Sequence, residues 1–233
     1  MDINGIVRAS ECDSNANINI VSIFSLIEDS ITILLGKYGL DSLAIKEKGL
    51  MWVFTKNKVN IYNRPKWKDN YVIKTHVIKV SMAIIVIETS MYDSFDNLLF
   101  ESITEACVLD IKTRRIIKLS DLNINIETLN KKNNMRFERI SLNNDFDTIK
   151  ILSVSTTNID YSLHTNNVEY VRFLSDSLNL MKYNNISSFE IHFTHESVLG
   201  DVLHVKRYND SYIITNLGKD IVCEAIIKWQ NSI

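Results

Sequence analysis

The sequence predicts an α+β fold built as two tandem units, each a long helix wrapped by an antiparallel sheet. Three observations predict it. An amphipathic helical pattern beginning at Ile20 is followed by a run of strand-like segments and hairpin turns. The same order, helix then strands, returns after residue 149. A polar triplet also recurs: Asp13, Asn15 and Asn17 precede the first helix as Asp160, Ser162 and His164 precede the second, at an offset of 147 positions.

In the first half, Ile20, Ile23, Phe24, Ile27, Ile31, Leu34 and Leu35 lie on one face of a helix, and Gly36 and Gly39 stand where a C-cap is wanted. Residues 1–17 read as irregular or extended. Strand character starts at Leu50 and runs to Thr55, then from Lys58 to Tyr62. Arg64 to Asn70 is a turn. Tyr71–Lys79, Ile84–Tyr92 and Leu98–Ile111 are strands, with a hairpin turn at Asp93–Asn97. Residues 118–148 are dense in Asn, Asp and Lys with weak periodicity, which reads as a connection. In the second half an extended piece, 149–158, leads into a helix over 167–181. Strands follow at 189–193, 202–208, 211–215 and 221–229. The expected division is a first unit over 1–120, a linker over 121–148 and a second unit over 149–233.

Composition narrows the classes. Of 233 residues 45% are hydrophobic and 23% charged, as in an ordinary globular protein. A net charge of −2 argues against bulk electrostatic binding to nucleic acid. Cys12, Cys107 and Cys223 are odd in number and contain no C-x-x-C, so neither a disulfide framework nor a zinc knuckle is indicated. The first residues lack the basic-then-apolar plan of a signal peptide, and 18–35 carries Glu28 and Asp29, so no membrane span is expected and the cytoplasm is the default location.

The chemistry-bearing stretch is 160–170. Asp160, Ser162 and His164 occupy alternate positions, which places them on one side if the loop is extended. Asn166 or Asn167 is a helix N-cap, and the N–H groups around Asn166, Asn167 and Val168 can hold a developing oxyanion at the positive end of the helix dipole. A second cluster, His192 to Ser197, contains Glu196. A hydrolase needs an activated water, a group that holds it and donors for the oxyanion. Asp160 or Glu196 can accept the proton, His164 can orient or relay it, and Ser162 can bind the carbonyl or the water. Each residue also has a plainer reading: Asp160 as a turn residue, His164 as a loop histidine, the asparagines as caps, Glu196 as a solvated strand residue. No H-E-x-x-H or other metal spacing occurs, and no G-x-S-x-G elbow supports Ser197 or Ser162 as a nucleophile.

Residues Asp160, Ser162, His164, Asn166, Asn167 and Tyr170 resemble the D-x-N-x-H-x-N-N-x-x-Y motif of the acyl-acyl carrier protein thioesterases, a hot-dog-fold family, with Ser162 in place of the family Asn. Trp52-Val53 and Arg64-Pro65-x-Trp67-x-Asp69 resemble that family's W-V and R-P-x-W-G-D segments, with Lys68 where Gly is usual. Glu196-Ser197 resembles its Glu-Cys pair, with Ser for Cys. The resemblance implies a double hot-dog that hydrolyses acyl-acyl carrier protein (acyl-ACP) to a free fatty acid. It implies an acyl-chain pocket in the first unit, and catalysis in the second by Asp160, His164 and Glu196 with Ser162 and Ser197 beside them. It also implies a carrier protein with a phosphopantetheine-linked chain as partner, and no metal or cofactor. An acidic carrier needs a basic face, for which Lys46, Lys48, Lys56, Lys58, Arg64, Lys66 and Lys68 are candidates. An acyl-coenzyme A thioesterase uses the same groups, and the two serines suggest a non-hydrolytic acyl-binding module as the other alternative. A fused pair can act as a monomer or form a homodimer.

Overall fold

The computed structural model describes residues 1–122, 125–130, 133–142 and 145–230, and it divides into two units, Met1–Arg136 and Phe137–Ile233. The protein is α+β, with extensive antiparallel sheet and few helices. The expected connection over 121–148 contains residues 123–124, 131–132 and 143–144, which lie outside the described residues.

The first unit opens with a strand, β1 (Asp2–Ile6), within the stretch the sequence suggested as irregular or extended. Helix α1 (Ile20–Gly36) follows, capped by Asn19, whose side chain accepts the Ser22 N–H at 2.8 Å. A short helix, α2 (Ser42–Glu47), was not anticipated; its cap, Asp41, accepts from Leu43 and Ala44. Five strands complete the unit: β2 (Leu50–Ile61), β3 (Asn70–Val80), β4 (Ile84–Asp93), β5 (Leu98–Asp110) and the two-residue β6 (Ile116–Ile117). The two strand segments expected over 50–62 are one strand whose register shifts between Phe54 and Lys56. The order is β1-β3-β4-β5-β2, antiparallel throughout, with β6 on β5. Helix α1 packs on β3 and β4, burying Ile20, Ile23, Phe24, Ile27, Ile31, Leu34 and Leu35. Each such side chain contributes roughly 1.5–3 kcal/mol by leaving water.

In the second unit β7 (Asp147–Ser153) precedes helix α3 (Asn167–Ser175) and a separate short helix, α4 (Leu180–Asn184). The single helix expected over 167–181 stops after Ser175 because short polar side chains compete for its backbone. The Ser177 hydroxyl donates to Leu174 O at 2.6 Å, and Asn179 starts the next helix by accepting the Lys182 N–H. Strands β8 (Ile186–Phe193), β9 (Val202–Tyr208), β10 (Ser211–Thr215) and β11 (Ile221–Trp229) then form an antiparallel sheet of order β8-β11-β10-β9-β7.

The recurrence seen in the sequence is also a recurrence of backbone bonds. In the first unit Asp13 N–H donates to Asn17 O (2.8 Å) and Ala16 N–H to Asp13 O (3.0 Å); in the second, Asp160 N–H donates to His164 O (2.9 Å) and Leu163 N–H to Asp160 O (3.1 Å). Ala16 and Leu163 both sit at positive φ, 59° and 67°. Each turn is closed by a bridge, Cys12 to Ile18 and Ile159 to Thr165. Each is tied to a later loop, Ile18 N–H to Pro65 O (2.8 Å) and Thr165 N–H to Ser197 O (2.9 Å). The later loops match too: Lys66 N–H donates to Asp69 Oδ2 and Val198 N–H to Asp201 Oδ2. Lys68 takes φ 73° where the other loop has Gly200 at 89°, which is why glycine suits that position.

One difference separates the two turns. In the first unit Arg64 Nη1 lies 2.7 Å from Asp13 Oδ2, with the two side chains only 9% and 6% exposed. Breaking a buried pair by removing one partner strands the other charge. Asp13→Ala is therefore expected to lower unfolding stability by about 3–5 kcal/mol, as measured by urea denaturation.

Candidate active site

Asp160, Ser162 and His164 converge, though not by strand alternation. Residues 160–164 form a tight turn, and Asp160 Oδ1 accepts the Ser162 N–H at 2.7 Å, the Asx arrangement favoured by Asp at such positions. Leu163, at positive φ and largely exposed, reverses the chain so that His164 returns beside Asp160. The same carboxylate oxygen accepts the Ser162 hydroxyl at 2.5 Å, and the Ser162 oxygen lies 3.2 Å from His164 Nδ1. On the far side of the ring, Nε2 lies 3.2 Å from Glu196 Oε2, with His164 27% and Glu196 32% exposed. The four side chains form one polar chain, Asp160–Ser162–His164–Glu196.

The bonds assign the protons. Ser162 has one hydroxyl proton, and donating it to Asp160 leaves the oxygen to accept from His164, so Nδ1 carries a hydrogen. The approach of Nε2 to Glu196 is then a hydrogen bond only if one further proton lies between them. Both ends of that contact stay open to solvent.

Ser197 is adjacent to Glu196 in sequence but belongs to a different cluster. It is 1% exposed, with its hydroxyl 2.7 Å from Thr165 Oγ1 and 2.8 Å from Tyr170 OH. Its N–H donates to Tyr170 OH at 3.1 Å, and its carbonyl accepts from both the Thr165 N–H and the Thr165 hydroxyl. The described bonds of Ser197 reach no base of the polar chain. Burial pushes the Tyr170 phenol up to about 12, against the opposing pull of its bond with Ser197, so it stays neutral and bonds as a hydroxyl. Thr165 escaped the sequence reading, because an apolar-side threonine in a loop carries no signal until its partner is known.

At the start of α3, Asn166 is the cap, and its side-chain oxygen accepts the Val168 N–H at 2.7 Å. Val168 therefore does not offer that N–H to a ligand, which narrows the expected oxyanion donors. The Asn166 N–H donates to Asn158 O. Among the described residues no protein acceptor takes the Asn167 N–H, the remaining donor of the three. His192 and His195 lie outside the chain of four. His192 Nε2 is 2.8 Å from the buried Glu190, and His195 Nδ1 is 2.8 Å from Ile221 O. Among the described residues no group of three or more His, Cys, Asp and Glu is placed to hold a metal ion.

Two candidates for the basic face are used inside the first unit. Lys58 is buried and donates to Arg136 O at 3.0 Å, and Arg64 is paired with Asp13. Sequence reasoning counted them as surface because long cationic side chains usually are.

Comparison with known proteins identifies the family and the fold. A family model described as the acyl-ACP thioesterase N-terminal domain matches residues 3–126, and one described as the acyl-ACP thioesterase C-terminal domain matches residues 142–231. Among solved structures, an acyl-ACP thioesterase from Bacteroides thetaiotaomicron is similar at a TM-score of 0.85 with 14% identity, covering 99% of this chain and 97% of that one. The 12:0-ACP thioesterase from Umbellularia californica is similar at 0.82 with 17% identity, covering 99% and 96%. These likenesses concern the fold. No curated protein matches the chain by sequence.

The cap of α3 makes a measurable contribution. Asn166→Ala is expected to cost about 1 kcal/mol of stability in urea denaturation, because it leaves the first turn of the helix without its side-chain acceptor.

Proposed function

The chain belongs to the acyl-ACP thioesterase family and hydrolyses the thioester of acyl-ACP; from that premise we propose that the reaction runs on water activated by the Asp160–Ser162–His164–Glu196 chain. The carrying observation is the contact of His164 with Ser162 on one nitrogen and Glu196 on the other. Both Ser162 bonds fall on Asp160 Oδ1, so Oδ2 is the acceptor for the attacking water.

The water oxygen attacks the thioester carbonyl carbon as its proton passes to Asp160. The new C–O bond leaves negative charge on the carbonyl oxygen, which the Asn167 N–H at the positive end of α3 stabilises. The intermediate collapses with cleavage of the C–S bond. His164 delivers the proton it shares with Glu196 to the departing sulfur, giving a free thiol on the carrier and a fatty acid. Asp160 releases its proton to solvent and the His164–Glu196 pair takes one up. Ser162 orients both ends, and Ser197 is outside the chemistry.

Each unit is read as a hot-dog, the first adapted to the acyl chain and the second to catalysis. A cavity of about 380 Å³ in the first unit, lined by Leu40, Val80, Met82, Leu119, Leu122 and Ile126, supports an acyl pocket there. Among the described residues no helix is long and apolar enough to cross a membrane.

Steady-state thiol release from a series of acyl-ACP chain lengths tests the scheme. Asp160→Asn and His164→Ala are each expected to lose roughly a hundred- to ten-thousand-fold in rate, with circular dichroism unchanged. Ser162→Asn retains activity, because an amide can still accept from Nδ1–H and donate to Asp160, whereas Ser162→Ala loses the bridge and falls in rate. Ser197→Ala loses less turnover than either Asp160→Asn or His164→Ala, because the Ser197 hydroxyl lies outside the chemistry and touches only Thr165 and Tyr170. A dead Ser197→Ala beside an active Asp160→Asn would replace water activation with a covalent acyl-serine route.

A further inference from the structure

The matching backbone turns of the two units allow side chains at equivalent positions to be compared inside one molecule. Thr165 corresponds to Ile18, because each donates its N–H to the later loop; Ser197 corresponds to Pro65, because each supplies the accepting carbonyl. Tyr170, on the first helical turns of α3, corresponds to Ile23 on α1 by the same 147-residue offset. At these positions the first unit has three apolar residues, Ile18, Ile23 and Pro65, all buried. The second has three hydroxyls, Thr165, Tyr170 and Ser197, also buried and bonded to one another at 2.7 and 2.8 Å.

Packing alone does not require the hydroxyls, since the first unit joins the equivalent loops with apolar residues at these positions. Burying three hydroxyls costs desolvation that their mutual bonds only offset. What they add is direction: a hydrogen-bonded contact fixes distance and orientation where an apolar contact permits sliding. Thr165 follows His164 and Ser197 follows Glu196, so the trio lies one residue behind each end of the 3.2 Å His164–Glu196 contact. The Tyr170 hydroxyl is its hub, bonded to both the Ser197 hydroxyl and the Ser197 N–H.

We propose that Tyr170 is a positioning residue of the thioesterase, holding Glu196 against His164 through Ser197 and Thr165. This rests on the catalytic reading of His164 and Glu196 given above. The Tyr170 hydroxyl is buried and bonds Ser197 rather than any member of the polar chain. Its effect is expected on turnover rather than on binding.

The test compares wild type, Tyr170→Phe, Thr165→Val, Thr165→Ser and His164→Ala for kcat, KM and thermal melting on one acyl-ACP. Tyr170→Phe is expected to keep KM and melting temperature close to wild type while kcat falls about 10- to 100-fold, the loss typical of a catalytic group displaced by a fraction of an ångström to one ångström. Thr165→Val falls in the same direction, and Thr165→Ser, which restores the hydroxyl, recovers. A kcat for Tyr170→Phe within about twofold of wild type, or a loss that follows a lowered melting temperature and a raised KM, overturns the proposal. If Tyr170→Phe does not fold, equal kcat for Thr165→Val and Thr165→Ser overturns it instead. Full activity in His164→Ala overturns the catalytic reading itself, whereas an inactive His164→Ala beside an active Tyr170→Phe removes only the positioning role.

Discussion

The bond from the Thr165 N–H to Ser197 O, 2.9 Å long, is the constraint on which the site depends. It joins two loops 32 residues apart and sets the residue before each, His164 and Glu196, face to face. The turn that carries His164 is shaped locally, by the Asp160 carboxylate accepting from Ser162 and by Leu163 at positive φ. Local shape alone gives Asp160, Ser162 and His164. Only the tie to the second loop adds Glu196, 3.2 Å from the imidazole.

The same framework exists twice with opposite electrostatic outcomes. In the second unit the Asp160 carboxylate faces a serine and, through it, an imidazole. In the first, the equivalent Asp13 faces the Arg64 guanidinium, and Asn17 stands where the histidine would be. The Asp13 carboxylate is engaged as an ion-pair partner, and an amide is neither acid nor base near neutrality. The first unit thus retains the turn as structure.

Much of this was legible in the sequence, for physical reasons that differ by residue. Helix α1 was readable because its apolar period is uninterrupted for more than four turns. Asp160, His164 and Glu196 could be singled out because groups able to move protons stood before a helix cap and in a polar cluster expected on a strand, which the structure places in the loop after β8. The way they meet was not: alternation suggested an extended loop, whereas Asx bonding and a positive φ make a turn, and neither leaves a period in the sequence. The end of α3 was overrun because Leu178 continues the apolar step while Ser177 and Asn179 capture the backbone. Lys58 and Arg64 were counted as surface charges because their partners, Arg136 O and Asp13, are tens of residues away. The grouping of Ser197 with Thr165 and Tyr170, away from the base, likewise needed the tertiary contacts.

The central claim is that His164 and Glu196 act as one unit through a shared proton. A double-mutant cycle on kcat with His164→Ala, Glu196→Gln and the double variant measures this most directly. If the pair is one unit, the double variant is no slower than the worse single variant, because either change already removes the shared proton. If the two losses multiply, each residue acts independently, and the proton shared between them is not what drives the thiol away.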